Sequence, residues 1–300
     1  MLVEKKFRVA AHSGSIYSVI SNSKKNIFTG GSEGVVLMWD LNSIENPVAV
    51  AKVSGQIFSL CIIEDLNHLW IGTMNGAIHV LDLNEKKEIR YFIHHSQSVF
   101  DIQIHDKKIY TASKDGNISV WDVRSQNLLK TVFVSQSGLR KISFHPTKNE
   151  IAIGSSDNSI YILHSSFQDP ASRIQLRVHT NSVFSLCYTN DGKYLLSGGR
   201  DAMLNCFATE ENYTLKKSLP AHLYTINDIV IINENHFATA GRDKHIKLWN
   251  LETLELIKVI DKEKFDAHIN SVNKLRWIND EKLLLSVSDD RSMMGWKILI

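Results

Sequence analysis

Residues 109–122 read IYTASKDGNISVWD, and residues 237–250 read FATAGRDKHIKLWN. Both pass through Thr, two small residues, a basic residue and Asp, and both place Trp six positions after the Asp. The same step recurs along the chain. Glu33 leads to Trp39, Asn75 to Leu81, Asp115 to Trp121 and Asp157 to Leu163; Asp201 leads to Phe207, Asp243 to Trp249 and Asp290 to Trp296. The seven end points lie 40 to 47 residues apart. A period of that length means that one supersecondary unit repeats, and that the repeat governs the architecture.

The third unit shows most clearly what is repeated. It holds SVFDIQI, IYTAS, NISVWDV and LLKTVFV, separated by the polar breaks HDKK, KDGN and RSQN. The runs have strand length, are rich in β-branched and aromatic residues, and alternate with period two. Asp115-Gly116 is a tight-turn signal between antiparallel strands. One unit is therefore a four-stranded antiparallel meander. Seven such sheets bury their faces by packing radially, which leaves only short edges. The expectation is an all-β chain that forms a single domain over residues 1–300. The seventh repeat ends on its third strand, Met293 to Ile300. Glu4–Val9 precedes His12 as other fourth strands precede theirs, so it is expected to pair antiparallel with 296–300 and close the ring.

Composition adds bounds. The chain is 43% hydrophobic and 22% charged, an ordinary globular balance. Thirty-four basic and 32 acidic residues leave +2, too little to argue for nucleic acid. No apolar run approaches the roughly 18 residues of a membrane span. The opening MLVEKKFRVAAH lacks the apolar core of a signal peptide. Cys61, Cys187 and Cys206 form no CxxC pair and read as buried apolar thiols, which fits a cytoplasmic protein. No HExxH, P-loop or GxGxxG-like phosphate loop occurs, so no metal or cofactor is expected.

The pattern resembles the WD-repeat β-propeller family over the whole chain. Trp-Asp itself stands at Trp39-Asp40 and Trp121-Asp122. It is blurred at Leu81-Asp82, Trp249-Asn250 and Trp296-Lys297, and lost at Leu163-His164 and Phe207-Ala208. The family's second mark, a small residue and His before the first strand, stands at Ala11-His12, Ala221-His222 and Ala267-His268. His95 and His179 fill the same slot; Val53 and Ser135 replace it in the second and fourth repeats. The resemblance implies a seven-bladed propeller. It also implies a buried chain from carboxylate to imidazole to hydroxyl to indole, through His95, Thr111, Asp115 and Trp121; His222, Thr239, Asp243 and Trp249; and His268, Ser286, Asp290 and Trp296. The donor and acceptor count closes along each set. His12, Thr29, Glu33 and Trp39 vary it, and His179, Ser197 and Asp201 lack the indole because Phe207 cannot donate. Ser286, His268 and Asp290 look like a hydrolase triad, but the resemblance implies a buried hydroxyl tied to the Trp296 indole, so these sets read as structural.

The resemblance implies a platform, and the family pattern marks three positions per repeat as facing its docking surface; register places them in this chain. Five after the His slot come Tyr17, Phe58, Phe100, Arg140, Phe184, Asn227 and Asn273. Before the turn acid come Ser32, Met74, Lys114, Ser156, Arg200, Arg242 and Asp289. Three after the slot come small polar residues such as Ser98, Gly138 and Ser182, and the bulkier Gln56. Rings and cations carry interface energy. The expected site is Tyr17, Phe58, Phe100, Lys114, Arg140, Phe184, Arg200 and Arg242, and the expected ligand is a protein or peptide with acidic and apolar side chains. The alternative for the rings is packing inside the first strand. The loops of the opposite face, such as SNSKKN and TNDGK, are solvated turns. The atypical segment 164–175, HSSFQDPASRIQ, is a secondary candidate. The rival functions are a nucleic-acid platform using the same cations and rings, and an enzyme on a propeller scaffold, for which register supplies only Asp289 at the surface. The chain is expected to be non-enzymatic, and a monomer or a subunit of a larger complex.

Overall fold

The computed structural model describes residues 1–169 and 173–300; Pro170, Ala171 and Ser172, inside the candidate segment 164–175, lie outside the described residues. Among the described residues the regular structure is almost entirely strand. The strands form seven four-stranded antiparallel sheets, and in six of them spatial order follows chain order. The third sheet shows the plan, with Val99–His105, Lys108–Ser113, Asn117–Asp122 and Leu128–Phe133 side by side. The seventh takes Val272–Ile278, Leu283–Ser288 and Met293–Leu299 from the end of the chain and Leu2–Val9 from its start. The fold is a seven-bladed β-propeller closed by its two terminal strands. The N-terminal strand begins two residues earlier than the segment Glu4–Val9 read from the sequence.

Chain contacts group the residues into two compact units. One holds 7–139 and 287–294; the other holds 1–6, 140–286 and 295–300. In the first unit, Trp70, Val99, Ile102, Ile109 and Trp121 share one core, with the Trp70 and Trp121 rings edge to face at 6.0 Å. In the second, Leu196, Leu204, Ile226, Ile229, Phe237 and Trp249 share another. The second strand of a blade is buried on both faces, as in Lys108–Ser113, whereas the fourth, as in Leu128–Phe133, is mostly open. That gradient explains why second strands read as nearly unbroken apolar or small runs.

Two local devices place the candidate residues. The first is a bulge in the first strand. Pairing with the second strand shifts register between Ile16 and Ser18, Ile57 and Ser59, Val99 and Asp101, Val183 and Ser185, and Ile226 and Asp228. The skipped residues are Tyr17, Phe58, Phe100, Phe184 and Asn227. A bulge re-aims the side chain of its extra residue, which would otherwise follow the strand's alternation.

The second device is the turn after the acid. The next residue has positive φ in every repeat: Gly34, Gly76, Gly116, Asn158, Ala202, Lys244 and Arg291. At Gly116, φ is +84° and a Cβ would come within 1.8 Å of the Ser135 carbonyl oxygen, so only glycine fits. In the last four repeats a side chain is carried in this conformation. The Asp side chain helps to hold the turn, because its Oδ1 accepts the backbone N–H two residues on. Asn117, Ser159, Met203, His245 and Ser292 donate in this way at 3.0–3.2 Å.

Candidate functional site

The recurring His, hydroxyl, acid and Trp side chains meet. His95 Nδ1 lies 3.0 Å from Asp115 Oδ2, its Nε2 lies 2.8 Å from Thr111 Oγ1, and the Trp121 indole N–H donates to that hydroxyl at 3.2 Å. His222 makes the same links at 2.8 Å to Asp243 and 2.7 Å to Thr239, which accepts from Trp249 at 2.9 Å. His268 reaches Ser286 at 2.8 Å, and Trp296 donates to Ser286 at 2.9 Å. Asp290 lies 3.9 Å from the Arg8 guanidinium on the N-terminal strand. In the first repeat Glu33 replaces Asp and still reaches His12, at 2.5 Å.

The carboxylates do more than meet a ring. Asp115, Asp201 and Asp243 also accept the backbone N–H of the residue after the His, from Ser96, Thr180 and Leu223. Burial pushes the Asp243 carboxyl up, but the His222 ring and these backbone donors outweigh it and bring it down to about 2. Burial lowers His222, against the pull of Asp243, so its ring is neutral at pH 7. The hydroxyl of Ser286 is wholly buried and already accepts an indole hydrogen, so no carbonyl substrate reaches it.

Three repeats depart from the set. In the fifth, Phe207 cannot donate, and the buried Asn205 amide instead lies 3.0 Å from His179 Nε2. In the second, Thr73 bonds Asn75 at 2.5 Å and the Ala77 carbonyl at 2.8 Å. In the fourth, Tyr161 donates to Asp157 at 2.6 Å. Asn205 and Tyr161 occupy the same register position, four after the acid, and that was the signal available in the sequence.

The expected docking positions fall together within repeats. The backbone N–H before the acid donates to the carbonyl three after the His slot, from Ser32 to Ser15, Met74 to Gln56, Lys114 to Ser98, Arg200 to Ser182 and Arg242 to Thr225, at 2.8–2.9 Å. In the first unit Tyr17 and Phe58 lie 5.4 Å apart and Phe58 and Phe100 5.5 Å apart, so three bulged rings form a continuous row. Each is half-buried, and Lys114 is exposed. In the second unit the Arg140 guanidinium lies 4.5 Å over the Phe184 ring, and its Nε–H donates to Ser156 at 2.9 Å. Burial and then the nearby Arg200 lower the pKa of Arg140. Arg200 and Arg242 are exposed. Asn227 is tied to Ser271 and the Val272 carbonyl.

Sequence reasoning missed the most exposed apolar residues next to the His slots. Leu223 is 76% and Tyr224 61% exposed, and Ile269 is also open. The signal was an apolar residue directly after the His where other repeats carry Ser13, Ser96 or Thr180. Among the described residues, no group of three or more His, Cys, Asp or Glu is placed to hold a metal ion, and no helix is long and apolar enough to cross a membrane. Cys61, Cys187 and Cys206 form no disulfide, and burial pushes the Cys206 thiol up to about 11.

Comparison with known proteins agrees with this geometry. The family described as WD domain, G-beta repeat matches residues 171–207, 213–250 and 261–297. A family described as IP5P C-F beta-propeller matches residues 17–121. The chain is 25% identical over 232 residues to Protein groucho of Drosophila melanogaster, a match that covers 76% of this chain and 31% of that protein. The chain thus spans about a third of that relative's length. Among solved structures it is similar to the WD40 beta propeller domain of Doa1, with a TM-score of 0.86, 15% identity, and coverage of 98% of this chain and 96% of that one. WD-repeat matches over the second half of the chain and a propeller match over residues 17–121 thus accompany the seven-bladed fold.

Proposed function

We propose that this WD-repeat propeller is a non-enzymatic scaffold that binds a segment of a partner protein on the face bearing Tyr17, Phe58, Phe100, Lys114, Arg140, Phe184, Arg200 and Arg242. The observation that carries the reading is the bulge. Four large rings and an Asn occupy the register-shift position near the start of the first strand, where strand alternation is broken. A ring used only for packing needs no such irregularity. Half-buried rings offer apolar area at low entropic cost, and Lys114, Arg200 and Arg242 stand exposed one residue before the neighbouring turns. The ligand that suits them is an extended segment with acidic and apolar side chains, and the propeller stays a cytoplasmic monomer or a subunit of a larger assembly. The His, Thr or Ser, Asp and Trp sets are the internal braces of this scaffold and carry no chemistry.

Affinity purification followed by mass spectrometry tests this. Wild type is expected to retain one or more proteins in nuclease-treated extract, and an Arg200→Ala variant is expected to lose them. Retention of nucleic acid with a steep loss of binding as salt rises would overturn the reading in favour of a nucleic-acid platform.

A further inference from the structure

Two arginines share one spot in the second unit, where the fourth blade adjoins the fifth. Arg140 lies near the start of Leu139–Phe144, and Arg200 directly follows Tyr194–Gly199. Arg140 is fixed from two sides. Its guanidinium lies 4.5 Å over the Phe184 ring, and its Nε–H donates to Ser156 Oγ at 2.9 Å. The face of an aromatic ring attracts a cation, so the group is held against the surface. Ser182, two residues before Phe184, makes the link to Arg200. Its hydroxyl donates to the Ser156 carbonyl at 3.3 Å, and its carbonyl accepts the Arg200 backbone N–H at 2.8 Å. Burial, and after it the Arg200 charge, lower the pKa of Arg140.

The carboxylates on the same two turns are committed to other partners. Asp157 accepts the Tyr161 hydroxyl at 2.6 Å and the Ser159 N–H at 3.0 Å. Asp201 takes the His179 ring and the N–H groups of Thr180 and Met203. Arg200 is exposed and, among the described residues, makes no ion pair. Like charges held close repel, and an anion between them offsets that repulsion. A carboxylate brings one charge and two oxygens, which a single guanidinium fork satisfies. A phosphate monoester brings about −1.5 to −2 and three acceptor oxygens, enough for two guanidiniums at once.

We propose that Arg140 and Arg200 form a site for a phosphorylated side chain of the partner segment. This rests on the reading that a segment docks on this face, and it adds that phosphorylation of the segment strengthens the binding. Arg140 is the fixed half of the site, seated on Phe184 and Ser156, and Arg200 is the exposed half. The site suits one phosphate beside an apolar ring. A nucleic-acid backbone needs a run of cations, and the whole chain carries only +2.

The test screens three random-peptide libraries against the whole chain, with phosphoserine, serine or glutamate fixed at the central position. The enriched phosphoserine peptides are expected to bind at least about tenfold tighter than the same peptides with serine, the worth of one charged hydrogen bond. Glutamate is expected to recover only part of the gain. Arg200→Gln, at an exposed position, and Arg140→Gln, whose folding is checked by the melting curve, are each expected to remove the difference between phosphoserine and serine. The Lys24→Glu/Lys25→Glu change is expected to leave it intact. Serine or glutamate peptides that bind as tightly as phosphoserine peptides, all weakened by Arg200→Gln, overturn the phosphate site and leave the docking of a segment on this face standing. Phosphoserine peptides that bind both arginine variants as they bind wild type also overturn it. Libraries that yield no binder overturn both proposals, and a single-stranded RNA oligomer held through the same arginines assigns the site to nucleic acid instead.

Discussion

Asp115 shows how much one side chain does here. One oxygen caps its own turn through the Asn117 N–H; the other takes His95 and the Ser96 N–H. The turn role explains why an acid or amide persists where the His and Trp are gone, at Asn75 and Asp157. At this scale removal of a ring should be distinguishable from removal of packing. His222→Ala leaves Asp243 and Thr239 without their ring partner, and should cost about 1–3 kcal/mol for unmade bonds beyond the lost contacts. Val53→Ala, at the same slot of the second repeat, should cost packing alone, and urea unfolding compares the two. Equal losses would contradict the bracing role. The pH dependence has a definite sign. His222 is held below its ordinary 6.5, so the unfolded chain binds that proton more readily, and the contribution is complete above 6.5 and declines as pH falls below it. Asp243 is held near 2 against an ordinary 3.8, so its contribution is present above 3.8 and is lost as pH falls toward 2. Melting temperature against pH should therefore drop in two stages, and His222→Ala should weaken both. A wild-type curve flat from pH 7 to 3 would contradict this.

At the scale of the element, strands and turns were legible because period-two alternation and the Asp-to-Trp step are written in residue identity. The seventh blade was legible too: Leu2–Val9 takes the place beside its third strand. Deletion of residues 1–9 should sharply lower the melting temperature, since it opens the Met293–Leu299 edge and removes the Arg8 and Lys5 ion pairs. An unchanged melting curve would refute the closure. The bulges were not legible. Ile-Phe-Ser and Val-Phe-Asp read equally well as regular strand, and only the pairing partner shows that Phe58 and Phe100 are skipped. Asn205 escaped notice because its bond to His179 joins residues that are 26 apart in the chain.

At the scale of the whole molecule, the proposed role of the propeller is that of a carrier whose bulged strand starts present rings and cations to a partner. The measurement that bears on this most directly is the dissociation constant of a purified partner for four proteins: wild type, Phe100→Ala, Arg200→Ala and the double reversal Lys24→Glu/Lys25→Glu in an opposite loop. Phe100→Ala and Arg200→Ala should each weaken binding by about 1 kcal/mol or more, with little loss of stability, and the Lys24/Lys25 reversal should bind as wild type does. If the Lys24/Lys25 reversal abolishes binding while Phe100→Ala and Arg200→Ala bind normally, the partner docks on the opposite face and the account is wrong.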